Sequence, residues 1–205
     1  MEIQLEQAGK RFNRDWIFRK LSYTFQSGNA YAITGANGSG KSTLLQVIAG
    51  STNPSEGAIK FQITNSQLQI SSDNIYSHIS IAAPYLDVIE EMTATEFLQF
   101  HGSFKPLNLS VEEIIGIVQL EKAANKQIRY YSSGMKQRIK LAQAIFSNTP
   151  IVLLDEPCTN LDKVGYALYH QLISNYCSNK LVIVCSNDEN EIDFCTERLN
   201  IMDWK

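Results

Sequence analysis

The stretch Gly35-Ala36-Asn37-Gly38-Ser39-Gly40-Lys41-Ser42 constrains this chain more than any other feature. It satisfies G-x-x-x-x-G-K-[ST] in full. Before it, Ala30-Tyr31-Ala32-Ile33-Thr34 reads as a buried strand; after it, Leu44, Leu45, Val47 and Ile48 recur at helical spacing until Gly50. Glycines tolerate positive φ and let backbone approach a bound group closely. Inward-pointing N–H groups form an anion cradle, to which the following helix adds the positive end of its dipole. The spacing therefore predicts that Gly35, Ala36, Asn37, Gly38, Ser39, Gly40, Lys41, Ser42 and Thr43 wrap the phosphates of a nucleotide. Lys41 reaches the terminal phosphates as a flexible cation, and the Ser42 hydroxyl is a ligand for Mg2+. At ordinary residue frequencies such a match arises by chance in about 1% of chains this long.

A second feature belongs with the first. Ile151-Val152-Leu153-Leu154-Asp155-Glu156 is an apolar run ending in two carboxylates, and Leu181-Val182-Ile183-Val184 is another such run. Continuous apolar runs are typical of parallel strands covered on both faces, and ligands of parallel sheets sit beyond the carboxyl ends of the strands. Asp155 is thus placed to hold Mg2+, and Glu156 to accept a proton from an attacking water.

The alternation of strands and helices predicts an α/β layer fold. Residues to about Ile33 alternate as antiparallel strands around a turn near Asn13-Arg14-Asp15, and a second turn falls at Ser27-Gly28-Asn29. Residues 51 to about 82 have strand and turn character, and 84 to about 147 are mostly helical. Then come a strand at 151–155, a helix near 163–177, a strand at 181–185, a short helix at 189–195 and a strand near 199–202. At 205 residues this is one domain, with a core and β lobe over about 1–83 and 148–205 and a helical lobe over about 84–147.

Composition narrows the partners. A net charge of −3 argues against a strongly basic nucleic-acid binder, and no apolar run approaches the roughly 20 residues of a membrane span. The N-terminus lacks the basic start and apolar block of a secretory signal. Cys158, Cys177, Cys185 and Cys195 are spaced unlike a zinc or redox motif, and read as ordinary thiols.

Tyr131-Ser132-Ser133-Gly134-Met135 stands before a helix whose Ile139, Ala142, Ile145 and Phe146 face inward. Ser132 alone reads as an N-cap. Taken in order with the two motifs above, it makes the chain resemble the ATP-binding subunit of ABC transporters along essentially its whole length: Gly35–Ser42 resembles Walker A, Tyr131–Met135 the signature, Ile151–Glu156 Walker B with the catalytic glutamate, and Thr159-Asn160-Leu161-Asp162 the D-loop. The resemblance implies a P-loop NTPase core with an N-terminal antiparallel β lobe and a helical lobe carrying the signature. It further implies ATP with Mg2+, hydrolysis to ADP and phosphate, and a head-to-tail dimer with a second copy or a homologous subunit. In that dimer Ser132 and the Gly134 N–H close the partner's site, and Asp162 belongs to the nucleotide interface. Phe12 falls where the family's adenine-stacking aromatic is expected. A separate integral-membrane subunit would hold the chain at the inner, cytoplasmic face, a helix of that subunit entering the cleft of the helical lobe.

The chain departs from the family at three places. Pro84 stands where the Q-loop glutamine is expected, Asn187 replaces the switch histidine, and Ser133 and Met135 replace the usual glycine and glutamine of the signature. Asn187 can donate to a γ-phosphate but cannot carry a proton. These changes motivate an alternative, a nucleotide-gated module with little hydrolysis. A DNA-repair or translation ATPase of the same superfamily fits less well: there is one Walker A, and the stretch between Lys41 and Ser132 is too short for a long coiled-coil insert. The short length resembles small export-type subunits, including the haem-exporter kind.

Overall fold

The computed structural model describes residues 1–62 and 74–205. Part of the strand-and-turn expectation for residues 51–82 therefore lies outside the described residues. Two sheets organise the rest. Strands β1 (Glu2–Phe12), β2 (Asp15–Gln26) and, later in the chain, β4 (Glu56–Gln62) form an antiparallel sheet in the order β2-β1-β4. Strands β3 (Ala30–Thr34), β5 (Ile79–Ala82), β6 (Ile151–Asp155), β7 (Leu181–Cys185) and β8 (Glu197–Asn200) form a parallel sheet in the order β5-β6-β7-β3-β8.

The period of two in a strand divides this second sheet between two cores. Ile151, Leu153, Leu181, Ile183 and Cys185 face one buried cluster with Leu44, Leu45 and Ile48 of helix α1 (Lys41–Ile48) and with Ile3, Leu5 and Phe25 of the antiparallel sheet. Val152, Leu154, Val182 and Val184 face the other. That second cluster takes in the inner faces of α2 (Ala94–Phe104), α3 (Val111–Ile117), α4 (Ser133–Phe146) and α5 (Lys163–Tyr176). All ten residues of β6 and β7 are buried, and each of their valine, leucine and isoleucine side chains contributes roughly 1.5–3 kcal/mol. With both faces covered, the sheet leaves only its strand ends for chemistry.

Several boundaries differ from the sequence expectation. The segment expected to be helical from residue 84 becomes so only at Ala94, where Thr93 and Glu96 form a reciprocal capping box. The short helix α6 covers Glu189–Ile192 and stops before residue 195. The last strand ends at Asn200, whose side chain accepts from Met202 N and turns Ile201–Trp204 into a 3-10 turn. Just before α4, Tyr131 packs in the core and donates its hydroxyl to Ala123 O, whereas Tyr130 is exposed beside Lys126. No described helix is long and apolar enough to cross a membrane.

Candidate functional site

The loop from Gly35 joins the C-terminal end of β3 to α1 and takes its shape from glycine. Gly35, Gly38 and Gly40 have φ of 142°, 75° and 103°. A Cβ at Gly40 would lie 2.2 Å from Ile17 Cγ2, and one at Gly35 would lie 2.8 Å from Ile201 Cγ2. Helix α1 has a left-handed glycine at its N-cap, no side-chain cap and no acidic residue in its first turn. Helices α2 and α3 instead satisfy their first-turn amides with Thr93/Glu96 and Ser110/Glu113. The free positive end of α1 thus points into a cavity of about 230 Å³ lined by Asn37 to Thr43, with Ile17 and Glu156.

The polar groups of the loop are arranged around that cavity. Lys41 is buried, and its Nζ donates to Gly35 O at 2.7 Å and Ala36 O at 3.3 Å. Ser39 Oγ is buried without a hydrogen-bond partner. An orphaned buried hydroxyl beside unspent amides suits a loop built to accept oxygen ligands. At the end of β6, Asp155 is buried and bonded to the Ser42 side chain. Burial raises its pKa, the Ser42 hydrogen bond lowers it, Glu156 raises it and Lys41 lowers it, with a net rise. A hydroxyl and a carboxylate meeting one turn from an anion cradle form the donor set that holds Mg2+ together with phosphate oxygens, so the residues fit that ion.

Glu156 is exposed, and its backbone sits in the left-handed region at φ 45°, fixed by its N–H donating to Cys185 O at 2.9 Å. A non-glycine residue held there costs about 1–2 kcal/mol and marks a site whose surroundings impose the geometry. Glu156 also lines an adjoining cavity of about 340 Å³ with Asn37, Cys158 to Leu161 and Ser186 to Asp188. Asn187 reaches across from the end of β7: its Oδ1 accepts from Gly35 N at 3.0 Å and its Nδ2 donates to Gly35 O at 2.7 Å.

The fold therefore brings Gly35–Thr43, Asp155, Glu156 and Asn187 together. The other expected site residues do not line the cavity of the phosphate loop or the one adjoining it. Ser132 is the exposed N-cap of α4, accepting from Met135 N at 3.3 Å. A Cβ at Gly134 would lie 3.1 Å from Asn160 O. Asp162 caps α5, accepting from Gly165 N at 2.8 Å. Phe12 is half exposed, with Lys10 Nζ 5.2 Å from its ring centroid, and lies outside the two cores. Pro84 is exposed; its neighbour Tyr85 is the residue that approaches the site, bonded to Gln46. Burial and the Asp155 charge push the Tyr85 hydroxyl up to about 12.

Three residues of this region escape sequence reasoning. Ile17 packs on Gly40 from a different sheet, Tyr85 sits one position from the expected one, and Glu191 lies in a polar run without periodicity. Glu191 is nevertheless buried, its Oε1 accepting from Cys158 N at 2.8 Å and Ser186 standing beside its carboxylate. It ties the loop after β6 to the loop after β7.

A parallel sheet, a glycine cradle at its strand ends and an acidic neighbouring strand define a P-loop nucleotide-binding protein. The comparisons with known proteins narrow this class. The family model for ABC transporters matches residues 18–159, and the chain belongs to that family. It is 28% identical over 200 residues to the uncharacterized ABC transporter ATP-binding protein YybJ of Bacillus subtilis, covering 92% of this chain and 86% of that one. It is 26% identical to the cytochrome c biogenesis ATP-binding export protein CcmA of Agrobacterium fabrum, over 92% and 90% of the two chains. A putative ABC transporter ATP-binding protein of Pyrococcus furiosus shares the fold at a TM-score of 0.84 and 19% identity, over all of both chains. A bacterial ABC transporter cassette solved as a dimer does so at 0.80 and 24%, over 97% and 94%. The chain is an ATP-binding cassette with the mixed α/β P-loop fold.

Proposed function

We propose that the chain hydrolyses ATP and, through nucleotide-driven dimerisation, powers a transporter whose membrane part is a separate subunit. One observation carries this reading: the Glu156 carboxylate and the uncapped start of α1 line the same cavity. The main-chain amides of Gly35–Thr43 bind the phosphates, and Lys41 leaves Gly35 O for the terminal pair. Ser42 and Asp155 would hold Mg2+, which would supply charge neutralisation at the phosphate oxygens. Glu156 orients a water for in-line attack and accepts its proton. Phe12, exposed and able to stack, takes the adenine.

Ser132 and the Gly134 N–H complete the site of a second copy or of a homologous subunit, and Asp162 lies at that interface through its cap on α5. The dimeric cassette structure and a post-hydrolysis dimer bound to ADP and Pi are relatives that support this arrangement. In this reading the chain is one domain, with a core and β lobe over about 1–83 and 148–205 and a helical lobe over about 84–147. The apolar groove of about 390 Å³ lined by Tyr76, Ile79, Ile81, Tyr85, Leu86 and Lys105 receives a helix of the membrane subunit at the cytoplasmic face. Phosphate release from Mg-ATP by the purified chain tests the reading. A rate well above that of Glu156→Gln supports hydrolysis. Equal rates would select the nucleotide-gated module instead.

A further inference from the structure

We propose that Asn187 is a positioning residue that clamps the mouth of the phosphate loop through Gly35, in place of serving as a ligand of the terminal phosphate. The inference rests on the nucleotide reading of the loop but asks a separate question of it. The carboxamide engages the N–H and the C=O of one residue at once, at 3.0 and 2.7 Å. Only glycine fits at residue 35, where φ is 142° and a Cβ would collide with Ile201 and Ser39, and glycine's freedom to adopt other φ values is what an outside brace removes. The loop's own cation supplies half of one today: Lys41 Nζ shares Gly35 O at 2.7 Å. When a polyphosphate draws Lys41 away, Gly35 O loses that donor, and Asn187 Nδ2 remains to satisfy it. Asn187 also spans from the end of β7 to the end of β3, two strands paired in parallel, so its base moves with the sheet that carries the loop.

An amide suits this task and an imidazole does not. Donor and acceptor of a carboxamide project side by side, whereas the two ring nitrogens of histidine point apart and cannot both meet one glycine. The residue that lacks a titrating proton thus has a positive role: it preorganises the cradle before ligand arrives. Asp188 behind it is fixed by the Tyr166 hydroxyl at 2.8 Å, which keeps Asn187 aimed at Gly35.

The test compares ADP with ATP, since ADP lacks the phosphate a direct ligand would touch. Calorimetric titration of Asn187→Ala and Asn187→His with Mg-ADP and with Mg-ATP should show both nucleotides weakened by the same factor, about 3–10-fold for two exposed hydrogen bonds. In nucleotide-free protein the Gly35 amide should exchange about tenfold faster in both variants, followed by NMR. Loss of ATP affinity with ADP unchanged, or an unaltered Gly35 exchange rate, would overturn the clamp. A wild-type protein that binds neither nucleotide would overturn the phosphate-loop reading, while the exchange measurement would still decide the clamp.

Discussion

Asp155 and Glu156 are adjacent carboxylates with opposite surroundings. Asp155 lies at the buried end of β6 with Ser42 on its side chain, whereas Glu156 turns outward on a strained backbone. Their roles separate accordingly. Glu156→Gln keeps the shape and loses the base, so it should bind Mg-ATP with near wild-type affinity while phosphate release falls about 10²–10⁴-fold; a release assay beside a binding titration checks both halves. Glu156→Gly should abolish release as well, yet raise thermal stability, because glycine relieves a φ of 45° worth about 1 kcal/mol. Lys41→Ala removes a cation already directed into the cradle and should weaken Mg-ATP binding about 10–100-fold, read by calorimetry.

Among the elements, the most informative contrast is between helix starts. Helices α2 and α3 close their first turns with serine or threonine and glutamate, and α1 leaves its first turn open toward the cavity. The glycine-lysine-serine start was legible in the sequence as a local pattern. The capping boxes at Thr93/Glu96 and Ser110/Glu113 did not stand out from the polar residues around them, which is why the sequence expectation starts the helical segment too early for α2. The apolar runs of β6 and β7 were legible as local patterns too. The partners of Asn187, Ile17 and Glu191 were not, since Gly35, Gly40 and Cys158 lie far from them along the chain and only sheet order joins them. The far end of α4 is another such case. Lys180, from the turn before β7, donates to Ile145 O at 2.9 Å and Ser147 O at 2.7 Å, and His101 of α2 meets Ser147 Oγ at 2.8 Å. Burial, with Lys105 nearby, lowers the His101 pKa to about 4. The unfolded chain takes up this proton near pH 6.5 and the folded one only near 4, so the stability from a neutral His101 is present above 6.5 and lost as pH falls to 4. His101→Gln should flatten the stability-versus-pH curve between those values by about 1–3 kcal/mol, measured by urea unfolding at several pH values.

At the scale of the whole molecule, the phosphate cradle and the Ser132 cap are far apart in function within one chain: Ser132 and Gly134 do not line the cavity that holds Lys41 and Glu156. A hydroxyl and a helix start exposed to solvent so distinctly from the site they resemble have a use if a second molecule brings them to it. The difficulty in testing this is that Ser132 also caps α4, so its loss costs about 0.5–2 kcal/mol of stability and can mimic loss of function. Ser132→Asp separates the two effects. Aspartate is as good an N-cap as serine, so the helix start is kept, but its charge opposes the phosphates of a facing nucleotide. In a Glu156→Gln background, Mg-ATP should convert the chain to a dimer in sedimentation velocity, and ADP should not. Adding Ser132→Asp should leave the melting temperature and single-site ATP affinity close to those of Glu156→Gln and hold the protein monomeric with Mg-ATP. A dimer of undiminished strength in that double variant would show that Ser132 faces no phosphate, and that α4 begins with a serine for the sake of its own first turn.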